Sequence, residues 1–136
     1  MDAFVAIVAL LSLLFYFYTC LNVGRARGAS KINAPAMTGH PQLERAVRVQ
    51  GNTLEWLPIF LVSLFLFDLF IPKPFGAWMA AVLGVIWILG RYMYMTGYMA
   101  DPAKRSAGFG VQGLSCAVLL FGALGGAVWS LIAHGA

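Results

Sequence analysis

Charged residues are scarce in this chain of 136 residues. Lysine, arginine, aspartate and glutamate make up only 10% of it, against about 25% in an average soluble domain. So few charges cannot cover a surface that faces water, and 61% of the residues are hydrophobic. The composition therefore excludes an ordinary soluble domain. It indicates that lipid surrounds much of the protein, and the length suits one domain over residues 1–136.

Residues that bind metals or form disulfides are equally few. The two cysteines, Cys20 and Cys116, lie in apolar runs, and we interpret them as small buried side chains. His40 and His134 are far apart, and neither begins a metal-binding pattern. We therefore predict no metal cofactor. The net charge of +4 does not indicate a nucleic-acid partner, because the basic residues lie between apolar runs and not in one polar patch.

Four long apolar segments predict four membrane-spanning helices. Each reaches the roughly 20 residues that a span requires once the second includes its polar first turns. The first segment has no basic region before it and no small-residue cleavage site after it, so it predicts a membrane helix and not a signal peptide. The predicted fold is an all-α, integral membrane four-helix bundle. Its helices are placed at about 3–23, 42–71, 75–99 and 108–133.

The breaks between these segments have turn chemistry. A polar loop is predicted at 28–41, a proline-rich turn follows Ile71, and Asp101 and Pro102 end the third helix. Eight of the nine basic residues lie beside the first and third loops, and only Lys73 is at the opposite end. The positive-inside rule then places loops one and three in the cytoplasm. Without an evident sorting signal, we expect a multi-pass protein of a bacterial inner membrane.

A polar face precedes the apolar part of the second helix. Arg48, Asn52 and Glu55 are spaced i, i+4 and i+7, which directs a cation, an amide and an anion the same way. Such groups are costly inside a membrane unless they pair or face water. Spacing alone leaves two interpretations open, a structural ion-pair network and a binding site.

The third helix repeats this pattern. Arg91, Tyr94 and Tyr98 are spaced i, i+3 and i+7, and Arg105 follows the next break. The tyrosines alone could be aromatic residues of the membrane interface. In the predicted topology, however, both polar faces lie toward the cytoplasm. We therefore predict a polar pocket between helices that collects Arg27, Arg48, Asn52, Glu55, Tyr94, Tyr98 and Arg105.

The segment from Glu44 to Pro58, together with the segment from Arg91 to Arg105, resembles the MAPEG family. These are the membrane-associated proteins of eicosanoid and glutathione metabolism, and the chain looks most like their microsomal glutathione transferases and leukotriene C synthase. The resemblance covers nearly the whole chain. It implies a homotrimer of four-helix protomers, with a glutathione site between neighbouring protomers that opens toward the cytoplasm.

The resemblance also implies a role for each matching position. Arg105 matches the arginine credited with activating the thiol. Two positions depart from the leukotriene synthase pattern, since Trp56 replaces a tyrosine and Gly28 replaces a second arginine. These departures weaken leukotriene as the natural product but leave the thiol site unaffected. The positions that match glutathione-binding residues are Arg27, Arg48, Gln50, Asn52, Glu55, Tyr94 and Tyr98.

The residues suit glutathione on chemical grounds as well, because arginines bind carboxylates and Glu55 can accept an ammonium group. We therefore predict a membrane-bound glutathione transferase that activates the thiol for attack on a lipophilic electrophile. Glutathione-dependent peroxide reduction would need the same thiolate. The alternative is a non-catalytic lipid-binding scaffold like the lipoxygenase-activating protein of this family, and retention of Arg105 and its neighbours favours the enzyme. A transporter is disfavoured, because it would need polar residues through the bilayer midplane and here they cluster at one end.

Overall fold

The computed structural model, which describes residues 1–135, consists of four long helices in an up-and-down bundle. A short 3-10 helix, Pro102–Arg105, joins the third long helix to the fourth. All four are long and apolar enough to cross a membrane, which confirms the predicted all-α four-span fold. The long helices are α1 (Ala3–Ser30), α2 (Pro41–Phe70), α3 (Phe75–Ala100) and α4 (Ser106–His134).

Helix α1 extends further than the sequence indicated. We predicted its end at 23 and a polar loop from 28, whereas the helix continues to Ser30 and stops at Lys31, whose φ of 59° is left-handed. Gly24 and Gly28 do not end the helix, because the preceding turns are fixed by packing and glycine costs only about 1 kcal/mol inside a helix. Arg27 in the last turn also favours the extension, since its charge complements the helix dipole.

Large apolar side chains fill the space between the helices. Phe60 of α2 stacks on Trp87 of α3, with ring centroids 4.1 Å apart, and both side chains are fully buried. Leu64 and Leu119 are equally inaccessible. Many other large apolar residues remain exposed along the outer faces, Ile132 of α4 being 74% accessible. This combination of a packed interior and an apolar exterior is the one that a lipid environment requires.

Different polar contacts mark the two ends of the bundle. At one end, Arg45 near the start of α2 donates to the carbonyl of Met99 near the end of α3, at 3.0 Å. At the other end, Lys73 lies 2.9 Å from the buried carboxylate of Asp68, which also lies 3.5 Å from the backbone N–H of Asp2. The first and third loops therefore share one end, where most basic residues are found.

Helices α3 and α4 approach each other closely through glycine. A Cβ atom at Gly90 would lie 2.6 Å from the backbone nitrogen of Gln112, and one at Gly108 would overlap the backbone at Tyr94. Any larger residue at these two positions would separate the helices. The close approach brings the start of α4 against the part of α3 that carries Tyr94.

Candidate functional site

A cavity of about 490 Å³ lies at the basic end of the bundle, between α2, α3 and the start of α4. Half of the eight predicted site residues line it, namely Arg48, Asn52, Tyr94 and Arg105. The start of α4 completes the wall with three residues that the sequence analysis did not identify, namely Ser106, Phe109 and Gly110. Residues from three separate helices thus meet at one cavity.

The α2 side of the cavity carries opposite charges. Arg48 Nη1 lies 3.4 Å from Glu55 Oε1, and the two side chains are 54% and 59% exposed. The i, i+7 spacing therefore does bring these groups together on one face, as predicted. Because the pair is exposed to solvent, it is weak, and a ligand with its own charges can replace either partner.

Aromatic rings form the α3 side. Tyr94 is buried and stacks on Tyr98, with centroids 5.6 Å apart, and its ring also lies 6.2 Å from that of Phe109. The ring of Trp56 lies edge-on to that of Phe109, with centroids 5.6 Å apart. Tyr98 therefore adjoins the cavity through Tyr94 without lining it. Trp56, one of the two departures from the leukotriene synthase pattern, lies beside the site.

Arg105 reaches the cavity from the 3-10 helix between α3 and α4. The Asp101 carboxylate caps this helix by accepting a hydrogen bond from the backbone N–H of Ala103 at 3.0 Å. Gly97 allows the turn to pack tightly, because a Cβ atom there would overlap the carbonyl of Lys104. The break at Asp101 and Pro102 thus precedes the turn from which Arg105 lines the same cavity as Arg48.

Two predicted site residues lie elsewhere in the chain. Arg27 Nη1 donates to the carbonyl of Ala36 in the first loop at 2.6 Å, and Gln50 Nε2 lies 3.2 Å from Cys20 Sγ on α1. Arg27 lies on α1 and Gln50 faces α1 from α2, and neither residue lines the cavity. Within a single chain the cavity therefore does not include Arg27, and a place for this residue in a site between protomers stays a prediction.

Arg91 was predicted to share a helix face with Tyr94 and Tyr98 but was not assigned to the pocket. Its side chain is fully buried and its guanidinium forks across to α2, with Nη1 donating to Asn52 Oδ1 at 2.8 Å and Nη2 donating to Thr53 Oγ1 at 2.7 Å. The same guanidinium lies 4.4 Å from the centre of the Tyr94 ring. An arginine inside a membrane helix was the available signal. Its partners could not be identified without the packing of α2 on α3.

The cysteines take no part in the cavity. Both are free thiols, Cys116 is buried as predicted, and Cys20 is only half-buried. Within residues 1–135, no three His, Cys, Asp or Glu side chains come together in a way that could hold a metal ion. The polar groups of the cavity are therefore two guanidinium groups, an amide, the hydroxyls of Tyr94 and Ser106, and the adjacent carboxylate of Glu55. Such a set suits a small ligand that is mainly anionic.

Comparison with known proteins agrees with this architecture. An uncharacterized protein of Synechocystis is 40% identical over 126 residues, which cover 93% of this chain and 89% of that protein. Human microsomal glutathione S-transferase 2 is 38% identical over 121 residues, 88% of this chain and 80% of the transferase. Guinea-pig (Cavia porcellus) leukotriene C4 synthase is 36% identical over 105 residues, 77% of this chain and 67% of the synthase. The sequence profile of the MAPEG family matches residues 5–125, so this chain belongs to the MAPEG family.

Proposed function

We propose that the protein is a membrane-bound glutathione transferase, which binds glutathione in the cavity and ionises its thiol beside Arg105. The observation that carries the proposal is that Arg48, Asn52, Tyr94 and Arg105 line a single cavity. Similarity to relatives named as a microsomal glutathione S-transferase and a leukotriene C4 synthase supports it. Retention of two arginines at the cavity favours an enzyme over the lipid-binding scaffold.

The charges of the site complement those of glutathione. The tripeptide carries two carboxylates, one ammonium group and a thiol. Arg48 can bind a carboxylate through charge-assisted hydrogen bonds, and Glu55 can accept the ammonium group. Asn52 can bond a peptide group or a carboxylate. The ligand thereby replaces the exposed contact between Arg48 and Glu55 with two stronger contacts of its own.

Arg105 is then the group available to the sulfur. The thiolate is the nucleophile, and a free thiol has a pKa of about 8.5. A guanidinium beside it favours the charged form, and lowering the pKa by ~2 units requires ~2.7 kcal/mol of differential stabilisation. Once the thiolate forms, holding it against a lipophilic electrophile supplies the remaining acceleration through proximity.

The site of one chain is completed by a neighbour in a homotrimer. Arg27 and Gln50 match glutathione-binding positions of the family, yet they lie on the α1 side of the bundle, outside the cavity. An adjacent protomer can present its α1 side to the cavity and supply both residues. The electrophile would then arrive from lipid along the apolar helix surfaces. In this proposal the basic end faces the cytoplasm, which supplies glutathione.

Turnover by the detergent-solubilised protein tests the proposal. We expect glutathione-dependent conversion of a generic aryl halide, with reduction of a lipid hydroperoxide measured in parallel, because both reactions use the same thiolate. Calorimetry with glutathione distinguishes the alternatives. A protein that binds glutathione and turns over neither substrate would contradict the transferase, and a protein that fails to bind glutathione would contradict the site itself.

A further inference from the structure

The Arg91 guanidinium is a buried cation without an acidic partner. In the chain from residue 1 to 135, the ion pairs within 4.0 Å are Arg48 with Glu55 and Lys73 with Asp68. Arg91 contacts instead an amide oxygen, a hydroxyl and an aromatic ring, and its Nε has no hydrogen-bond partner. A fully buried charge whose direct contacts are all with neutral groups is costly.

The hydrogen bonds of Arg91 fix the orientation of Asn52. A guanidinium can only donate, so the Asn52 amide must turn its oxygen toward Arg91, 2.8 Å away. Its NH2 group is then the part left for the cavity that Asn52 lines. Without Arg91 the amide could rotate by half a turn and present an acceptor, which would repel a carboxylate or a thiolate.

Thr53 accepts the second hydrogen bond of the Arg91 guanidinium. Its hydroxyl donates to the carbonyl of Val49 at 2.7 Å, one turn earlier on α2, and it accepts from Arg91 Nη2 at 2.7 Å. The single hydroxyl hydrogen is therefore used within the helix, and the lone pairs face Arg91. Thr53 is fully buried and does not line the cavity, so its side chain is not placed to contact a ligand there.

We infer that Arg91 is a positioning residue for the glutathione site, which turns the NH2 group of Asn52 toward the cavity and uses its unpaired buried charge to favour an anion there. The inference rests on the proposed function, and it assigns to Arg91 a part in ligand selection. Tyr94, whose ring lies 4.4 Å from the guanidinium, is held by the same group. The Arg91 charge thereby favours anionic ligands although Arg91 itself does not line the cavity.

The test compares Arg91→Gln with Arg91→Lys, using glutathione calorimetry on protein first shown to be folded by gel filtration. Glutamine removes the charge and can offer Asn52 either a donor or an acceptor. We expect its affinity for glutathione to fall about tenfold or more, as loss of a charged hydrogen bond predicts. Lysine keeps the charge and one donor, so it should restore the affinity to within roughly threefold of the wild type.

Thr53→Val supplies a variant of similar shape in case Arg91→Gln yields no folded protein. It leaves Arg91 in place and removes one of its two anchors, and we expect the affinity to fall about threefold. The inference is overturned if folded Arg91→Gln, or Thr53→Val in its place, binds glutathione as tightly as the wild type. Glutathione binding by the wild type tests the proposed function separately, because the inference about Arg91 concerns only the ratio of the variant's glutathione affinity to that of the wild type.

Discussion

Arg48 and Glu55 lie two turns apart on one face of α2, with 3.4 Å between Nη1 of the arginine and Oε1 of the glutamate. More than half of each side chain is exposed, so the pair contributes at most about 1 kcal/mol to stability. Because these two charges add so little to folding, we propose that they serve as binding groups. In a complex with a zwitterion, the ligand's anionic group would take the place of Glu55 beside Arg48, and its cationic group would take the place of Arg48 beside Glu55.

Glu55→Gln separates binding from folding. We expect the free energy of unfolding to change by less than about 1 kcal/mol, because an exposed ion pair is lost. Affinity for glutathione should fall about tenfold, since the acceptor for the ammonium group loses its charge. Thermal unfolding in detergent and calorimetry measure the two quantities. Glu44→Gln, an exposed acid on the first turn of α2, is the matched control.

Arg48→Ala should weaken glutathione binding by about tenfold to a hundredfold, because one carboxylate loses its charged partner. The helix itself should remain folded, since the Arg48 side chain is largely exposed. Arg45→Ala is the control, as that side chain donates to the end of α3 and not to the cavity. Equal affinities for glutathione in Arg48→Ala and the wild type would remove Arg48 from the site.

Gly108→Ala should displace the start of α4 from α3. The added Cβ would overlap the backbone at Tyr94, so we expect destabilisation of about 1–3 kcal/mol together with loss of turnover. Gly113→Ala in the same helix meets nothing within 4 Å and should be neutral or stabilising by up to about 1 kcal/mol. Unfolding temperatures and aryl halide turnover of the two variants provide the comparison. Equal behaviour would show that the close approach at Gly108 does not shape the cavity.

Lys73→Met should destabilise the protein without affecting the site. The carboxylate of Asp68 is only 5% exposed, and the variant would leave it with the 3.5 Å contact to the backbone of Asp2. We expect a loss of about 1–3 kcal/mol in the free energy of unfolding. Glutathione affinity, measured on folded protein, should stay within about twofold of the wild type, because the pair lies at the opposite end of the bundle. A larger change in affinity would show that the two ends are coupled.

The helices were predictable from the sequence because long apolar runs and proline breaks are strong, local signals. The end of α1 was not, since glycine and arginine at residues 24–28 resemble a loop in sequence although the preceding turns hold them in the helix. Helix-face spacing likewise predicted that Arg48 and Glu55 share one face and that Tyr94 and Tyr98 share another, and the structure places each pair in contact. These contacts lie within single helices, where geometry alone decides the neighbours.

Contacts between helices could not be derived in this way. The fork of Arg91 onto Asn52 and Thr53 depends on how α2 and α3 rotate against each other, which spacing along one helix does not determine. The contribution of Phe109 to the cavity follows from the close approach at Gly108, which likewise has no local signature. For the same reason, Arg27 was assigned to a pocket from which the fold of one chain separates it.

In the proposed transferase, Arg105 ionises the thiol of glutathione inside the cavity. Thiolate absorbance, recorded at neutral pH while glutathione is titrated into the solubilised protein, tests this role of Arg105. We expect the wild type to develop thiolate absorbance that saturates with binding. Arg105→Ala should bind glutathione without that absorbance and lose roughly a hundredfold or more in turnover, whereas Lys104→Ala should match the wild type. Thiolate formation and turnover that survive unchanged in Arg105→Ala would contradict the claim.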